Sequence, residues 1–152
     1  MQTRRNLLAT SARLAGLLAA AGLLPSAAQA AWTQAAFDAK NLADAAKALG
    51  GGTPAVSQDV AITGPDIAEN GAVVPVGCST TLAGVKRLAL MVEKNPSALA
   101  AVFDVSDAVE ASFNTRVKMG QSSNVFAVAI MNDGRVLYAA KEIKVTLGGC
   151  GG

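Results

Sequence analysis

Histidine is absent from this sequence of 152 residues, and cysteine occurs only twice, as Cys78 and Cys150. Without imidazole the chain lacks the commonest general base and the commonest metal ligand, and two cysteines alone fall short of a zinc site. The sequence therefore predicts neither an enzyme with its own catalytic centre nor a metalloprotein. No cofactor is expected.

A strong charge of either sign is also lacking, although the formal net charge is +2. Three of the thirteen basic residues, Arg4, Arg5 and Arg13, lie in residues 1–30, whereas all eleven acidic residues lie beyond them. Without that segment the net charge becomes −1. No basic surface for nucleic acid or anionic lipid is therefore expected.

Residues 1–30 have the pattern of an export signal. Arg4 and Arg5 precede an apolar stretch at 14–24, and Ala28-Gln29-Ala30 supplies a small-x-small cleavage pattern. The paired arginines predict the twin-arginine route, cleavage near Ala31 and a periplasmic protein. A retained membrane anchor is the alternative, but a span needs about 20 apolar residues and this stretch is shorter.

Residues 31–52 predict an amphipathic helix followed by a glycine stop at 50–52. The apolar positions that define its face are Phe37, Leu42, Ala45, Ala46 and Leu49. Two roles stay open for this helix: a cap on the domain or an arm that faces a partner.

Residues 53–147 predict short strands separated by turn residues. The strands are expected at 60–62, 73–78, 85–93, 99–105, 113–119, 125–131 and 136–147. Residues 65–71 are expected to form a loop in which Asn70-Gly71 favours positive φ, and Asn132-Asp133-Gly134 a tight hairpin. About seven short strands spaced in this way indicate an all-β sandwich of immunoglobulin-like architecture.

Two of these strands carry further information. Residues 125–131 are apolar on both faces, which favours a central strand. Near the end of the last strand, Ile143, Val145 and Leu147 alternate with Glu142, Lys144 and Thr146, so one face is expected to be buried and the other exposed.

The last strand leads directly into Gly148-Gly149-Cys150-Gly151-Gly152. Glycine has no Cβ and packs nothing, so residues 148–152, called the arm below, are predicted to be a flexible tether. An extended chain would carry the Cys150 thiol on the order of 10 Å from residue 148. Cysteine reacts as the thiolate, and glycines on both sides would leave it unhindered in another protein's active site.

Cys78, in Val76-Gly77-Cys78-Ser79, is interpreted as a core residue, because free cysteine packs like a small hydrophobe. A disulfide with Cys150 and a secondary thiol role are the alternatives.

Together these residues resemble the SoxY family, the sulfur-carrier subunits of the bacterial Sox thiosulfate-oxidising system. The resemblance rests on Pro65-Asp66-Ile67-Ala68-Glu69-Asn70-Gly71 with Val74-Pro75-Val76, on Lys94-Asn95-Pro96, and above all on the run from Val145 through Gly152. It implies an immunoglobulin-like carrier, not an enzyme, that pairs with the SoxZ subunit and holds sulfur intermediates on Cys150. It also implies transient docking to the c-type cytochrome SoxAX, the hydrolase SoxB and a sulfane dehydrogenase. Cys78 departs from the family pattern.

Two other functions remain open from the residues. One is a ubiquitin-like sulfur carrier that uses a terminal Gly-Gly carboxylate, against which the export signal and Cys150 argue. The other is a secreted immunoglobulin-like interaction module whose terminal cysteine forms an intermolecular disulfide.

Overall fold

The computed structural model describes residues 33–146. The two helices of this region are α1 (Gln34–Asp38) and α2 (Leu42–Ala48). Its strands are β1 (Pro54–Val56), β2 (Val60–Thr63), β3 (Ile67–Ala68), β4 (Val74–Thr80), β5 (Val85–Val92), β6 (Leu99–Asp104), β7 (Ser112–Val117), β8 (Ser123–Met131) and β9 (Val136–Val145). The predicted export signal, Leu147 and the arm lie outside the described residues.

The strands form two sheets that pack as a sandwich. The large sheet has the order β1-β9-β8-β5-β6, with β3 also paired to β9, and the small sheet has the order β2-β4-β7. The prediction of an all-β sandwich is confirmed, and the seven predicted strands correspond to β2 and β4 through β9. The immunoglobulin-like assignment stays a prediction.

The large sheet is buried on both faces, which explains the apolar composition of its central strands. On β5, Leu88, Leu90 and Val92 belong to the core between the two sheets, whereas Ala89 and Met91 belong to a second core that includes both helices. Strand β8 lies between β5 and β9, as its two apolar faces predicted. The fold therefore has three layers: helices, large sheet and small sheet.

The prediction of one continuous N-terminal helix was wrong for the described residues. The chain is extended at Ala39, with ψ of 137°, and α2 starts afresh after Asn41, whose side chain accepts a hydrogen bond of 2.8 Å from the Asp44 amide. An asparagine N-cap satisfies an otherwise unpaired amide of the first turn, so a new helix starts here. Ala36, Ala45 and Ala46 are buried in the second core, and the helices therefore cap the domain.

The predicted hairpin between β8 and β9 is present. Gly134 has a φ of 87° and its amide donates to the Met131 carbonyl oxygen over 3.0 Å. This φ favours glycine, so the hairpin fixes the register of β9 against β8. Within residues 33–146, neither helix has the length and apolar composition needed to cross a membrane.

Candidate functional site: the root of the C-terminal arm

Strand β9 carries the chain to the arm, and residues 143–146, called the root below, are the last described part of that path. Ile143 lies opposite Ser123 of β8 and is fully buried, while Glu142 and Lys144 are exposed. The predicted alternation is confirmed for these residues. One face of the root is therefore fixed in the core between the sheets; Leu147 lies outside the described residues.

Strand β3 holds one edge of the root by parallel pairing. Ile67 lies opposite Lys144 and Ala68 opposite Val145. The Lys144 amide donates to the Asp66 carbonyl oxygen over 3.0 Å, and the Thr146 amide donates to that of Ala68 over 3.1 Å. Backbone hydrogen bonding to the sheet thus continues as far as Thr146.

The prediction that residues 65–71 form a loop throughout was therefore wrong at Ile67–Ala68. A strand of two residues has too little alternation to be detected in a sequence, and here the partner β9 lies more than seventy residues away along the chain. A second strand of this kind, β1, was missed for the same reason: its three residues pair in parallel with the beginning of β9.

One serine hydroxyl braces the root from the other side, and the next serine holds a neighbouring turn. The Val145 amide donates to Ser122 Oγ over 2.9 Å, and the neighbouring Ser123 Oγ accepts from the Lys94 amide over 3.1 Å. Asn95 Nδ2 donates to the Lys118 carbonyl oxygen over 2.7 Å. Residues 94–96 are thus tied to the loop before β8 and to the first residue of β8. Sequence reasoning missed both serines, because nothing in a sequence distinguishes a bracing hydroxyl from a solvated one.

An exposed ion pair also spans this edge of the sheet. Lys141 Nζ of β9 lies 2.8 Å from Asp66 Oδ1, just before β3. Hydrogen bonding to Lys141, and then its positive charge, lower the pKa of the Asp66 carboxyl. The pair links the side chains of the two segments whose backbones meet at Lys144.

Glycine is required at position 71 because there is no room for a side chain beside the root, and not because the backbone has an unusual φ. It is not among the positive-φ glycines of residues 33–146, so the expectation of positive φ at Asn70-Gly71 was wrong. A Cβ at this position would lie 2.3 Å from the Met119 carbonyl oxygen and 2.9 Å from Val145 Cγ1. The Met119 amide also donates to the Gly71 carbonyl oxygen over 2.7 Å. Only glycine lets the segment before β4 pass this close to the root.

Cys78 lies in β4, and its prediction as a core residue is confirmed. It is 2% exposed and is flanked in the small sheet by Ile62 and Phe113. Burial raises the pKa of its thiol to about 11, so at neutral pH it is protonated and a poor nucleophile. The alternative of a disulfide stays a prediction, because its other partner, Cys150, lies outside the described residues.

We expect Cys78→Ala to reduce the free energy of unfolding by about 1 kcal/mol at pH 8, through lost packing. The difference from wild type should narrow as pH rises from about 9 to about 11. Over that range the unfolded thiol ionises before the folded one, which removes stability only from the wild type. Urea unfolding of both proteins at pH 8 and at pH 10.5 measures this; a difference that widens with pH would contradict the burial of a protonated thiol.

The predicted site residues themselves, Gly148, Gly149, Cys150, Gly151 and Gly152, all lie outside the described residues. The structure instead defines the last point at which the described chain is held to the sheet. This point is Thr146, whose amide is hydrogen-bonded to the Ala68 carbonyl oxygen and which lies four positions before the cysteine.

The described residues thus form an all-β sandwich whose last strand, β9, ends at Val145, five residues before a glycine-flanked cysteine in the sequence. A family profile described as sulfur oxidation protein SoxY matches residues 45–150, which is more than half of the chain and includes Cys150. The chain belongs to the SoxY family, as its residues indicated.

Two solved structures are similar to this chain, and the first of them agrees with the family assignment. The sulfur carrier protein SoxY from Chlorobium limicola f thiosulfatophilum is 32% identical, with a TM-score of 0.57; the match covers 62% of this chain and 84% of that one. A superoxide reductase (neelaredoxin) from Ignicoccus hospitalis is 19% identical, with a TM-score of 0.52, over 59% of this chain and 81% of that one. The second likeness shows the fold alone. A comparison with curated proteins gave no match.

Proposed function

We propose that this protein is a covalent sulfur carrier of thiosulfate oxidation and that Cys150 is the attachment site. The observation that carries the proposal is the SoxY family match, which runs from residue 45 through Cys150. The similar Chlorobium structure is itself named a sulfur carrier protein. The chain acts as a substrate-bearing subunit, and the enzymes that it visits perform the chemistry.

The geometry of the root supports this role. Thr146 is held to the sheet, and Cys150 follows four positions later, so an extended chain carries the cysteine at most about 14 Å from the sheet. Glycines flank the thiol on both sides and add no side chains that would obstruct a narrow pocket. The arm thus carries the sulfur into the pocket of a partner enzyme while the sandwich stays outside that pocket.

The proposed chemistry needs sulfur at residue 150 throughout. The Cys150 thiolate and thiosulfate join through a new S–S bond, and the two electrons that are released pass one at a time to a c-type cytochrome complex, SoxAX. Water then attacks the terminal sulfonate sulfur in a hydrolase, SoxB, which releases sulfate and two protons and leaves a persulfide on Cys150. A sulfane dehydrogenase then oxidises the outer sulfur to a sulfonate: three waters supply the oxygens, six protons are released and six electrons pass to a c-type cytochrome acceptor. A second hydrolysis releases sulfate and two protons and regenerates the thiolate. Cysteine is the side chain that can form and release such bonds reversibly.

The assembly and location follow from the same proposal. The sandwich pairs with a SoxZ subunit as a heterodimer, and the pair docks transiently to the three enzymes. The predicted export signal at residues 1–30 supports a periplasmic location that is reached by the twin-arginine route.

The proposal is tested by the intact mass of the mature protein isolated from cells with and without thiosulfate. We expect adducts of sulfane sulfur or thiosulfate that a reductant removes and that peptide mapping places on Cys150. A Cys150 that forms only protein dimers, without sulfur uptake, would favour an interaction module with an intermolecular disulfide. Sulfur on the terminal carboxylate would instead favour a ubiquitin-like carrier.

We expect replacement of Gly148 and Gly149 by proline to reduce turnover of the reconstituted system several-fold, because proline fixes φ and stiffens the path to the thiol. Replacement of both by alanine is the matched control and should have a smaller effect. Steady-state thiosulfate oxidation with all partner proteins measures both variants. Equal rates for the proline variant and the wild type would show that freedom of the arm does not contribute to turnover.

A further inference from the structure

Successive backbone amides at the end of β9 are held on opposite sides of the strand. The Lys144 and Thr146 amides donate to carbonyl oxygens of residues 66–68, in and just before β3. The Val145 amide lies between them and donates to Ser122 Oγ over 2.9 Å, on the side of β8. The last residue of β9 is therefore held on that side by a side-chain hydroxyl and not by a backbone carbonyl.

This hydroxyl takes the place of a ladder bond that β8 does not supply. The first residue of β8, Ser123, lies opposite Ile143, so the same register would set residue 121 opposite Val145. In a continued antiparallel ladder, the backbone carbonyl of residue 121 would accept the Val145 amide. Strand β8 begins two residues later than that, and the Ser122 side chain bridges the gap.

The loop that carries Ser122 is fixed by other hydrogen bonds. The Met119 amide donates to the Gly71 carbonyl oxygen over 2.7 Å, and the Lys118 carbonyl oxygen accepts from Asn95 Nδ2 over 2.7 Å. The residue after Ser122 already belongs to β8. Because the backbone on both sides is held, the hydroxyl is presented to β9 with little further loss of conformational entropy. Removal of the hydroxyl would release the root and leave the loop in place.

We propose that Ser122 is a positioning residue for Cys150: its hydroxyl fixes the direction in which the chain leaves the sheet, and so the region in which the thiol meets the enzyme that loads it. This inference rests on the proposed function. Cys150 follows Thr146 by four positions, which limits its reach to about 14 Å. Over so short a path, a change of direction at the root moves the whole volume that the thiol can reach.

Without this hydroxyl, the backbone amides of residues 144–146 would keep only their hydrogen bonds on the side of β3, a strand of two residues. Backbone that is held along one edge by so short a strand opens more often than backbone that is held along both. A smaller fraction of molecules would then direct the thiol towards the enzyme. The apparent affinity of the enzyme for the carrier falls by that fraction, whereas the chemistry after binding is unaffected.

The first experiment uses the full mature carrier with its partner subunit and measures loading of Cys150 by the thiosulfate-coupling cytochrome. Ser122→Ala should raise KM about fivefold and leave kcat unchanged, as expected when one hydrogen bond that selects the productive direction is lost. Ser122→Thr keeps the hydroxyl and should restore the KM of the wild type. An unchanged KM in Ser122→Ala, or an equal rise in Ser122→Thr, would overturn the inference.

Ser57→Ala is the matched control. Ser57 is half-buried like Ser122, and its Oγ accepts a hydrogen bond of 3.1 Å from the Asp59 amide. It follows β1, which pairs with the beginning of β9 and not with the root. The substitution therefore removes the same kind of bond away from the arm, and its KM should equal that of the wild type. A KM as high as that of Ser122→Ala would mean that loss of any such bond slows loading, which contradicts a special role of Ser122.

A second measurement separates this inference from the proposed function. A nitroxide label on Cys150 broadens the NMR signals of nearby amides, and Cys78 escapes labelling because it is buried and the pKa of its thiol is raised to about 11. The broadening should cover a wider part of the domain in Ser122→Ala than in the wild type or Ser122→Thr. The same pattern in all three proteins would refute the positioning role. If the wild type takes up no sulfur, the proposed function fails, but the label still tests whether Ser122 directs the arm.

Discussion

Replacement of Cys150 by serine is expected to abolish thiosulfate oxidation by the reconstituted system. A serine hydroxyl cannot form the S–S bond through which thiosulfate would be held, and no other cysteine is available, since Cys78 is 2% exposed and burial raises the pKa of its thiol to about 11. The effect should be a fall to the rate without carrier, not a partial loss. Thiosulfate-dependent cytochrome reduction with all partner proteins present measures it.

The matched control for this variant is Cys78→Ala, which removes the other thiol. It should retain full carrier activity despite its small loss of stability, because β4 places Cys78 in the core between the two sheets. The Cys150→Ser protein should also keep the unfolding curve of the wild type and its pairing with the partner subunit. Substantial oxidation by Cys150→Ser, or its loss in Cys78→Ala, would remove Cys150 from its proposed role.

Most of the β-structure could be predicted because its signals are local. Strand β9 illustrates this: the alternation of Ile143 and Val145 with Glu142 and Lys144 identifies both the strand and its buried face. The apolar pattern of 125–131 likewise predicted a central strand, and β8 occupies that place. The spacing of apolar residues along a strand indicates which of its faces are buried. In this fold the strand faces are buried by the opposite sheet or by the helices.

What the sequence did not reveal depends on contacts between distant residues. The short strands β1 and β3 exist because each pairs with a different part of β9, and the break between the helices coincides with a side-chain cap at Asn41. The bracing of the root by Ser122 is equally invisible in a list of residues. Gly71 gave a signal that was misinterpreted: glycine after asparagine is typical of positive φ, but here it marks close packing.

Gly71→Ala is the second change for which we expect a large effect, because it introduces one methyl group where the structure has no room. The new Cβ would lie 2.3 Å from a backbone oxygen of Met119 and 2.9 Å from Val145 Cγ1. Backbone cannot move aside as a flexible side chain can, so the segment before β4 and the root must both shift. Overpacking of this kind typically costs about 1–3 kcal/mol. Urea unfolding should show that loss of stability.

The same substitution should also impair the carrier, since Val145 is the last residue of β9 and the arm begins three residues later. We expect slower loading of Cys150 by the thiosulfate-coupling cytochrome, together with unchanged alkylation of the thiol by a small reagent. Gly120→Ala is the matched control: Gly120 follows Met119 directly, yet a Cβ there would meet nothing within 4 Å. Stability and loading should be nearly unchanged in that protein. Equal behaviour of the two alanine variants would mean that close packing at the root affects neither folding nor presentation of the arm.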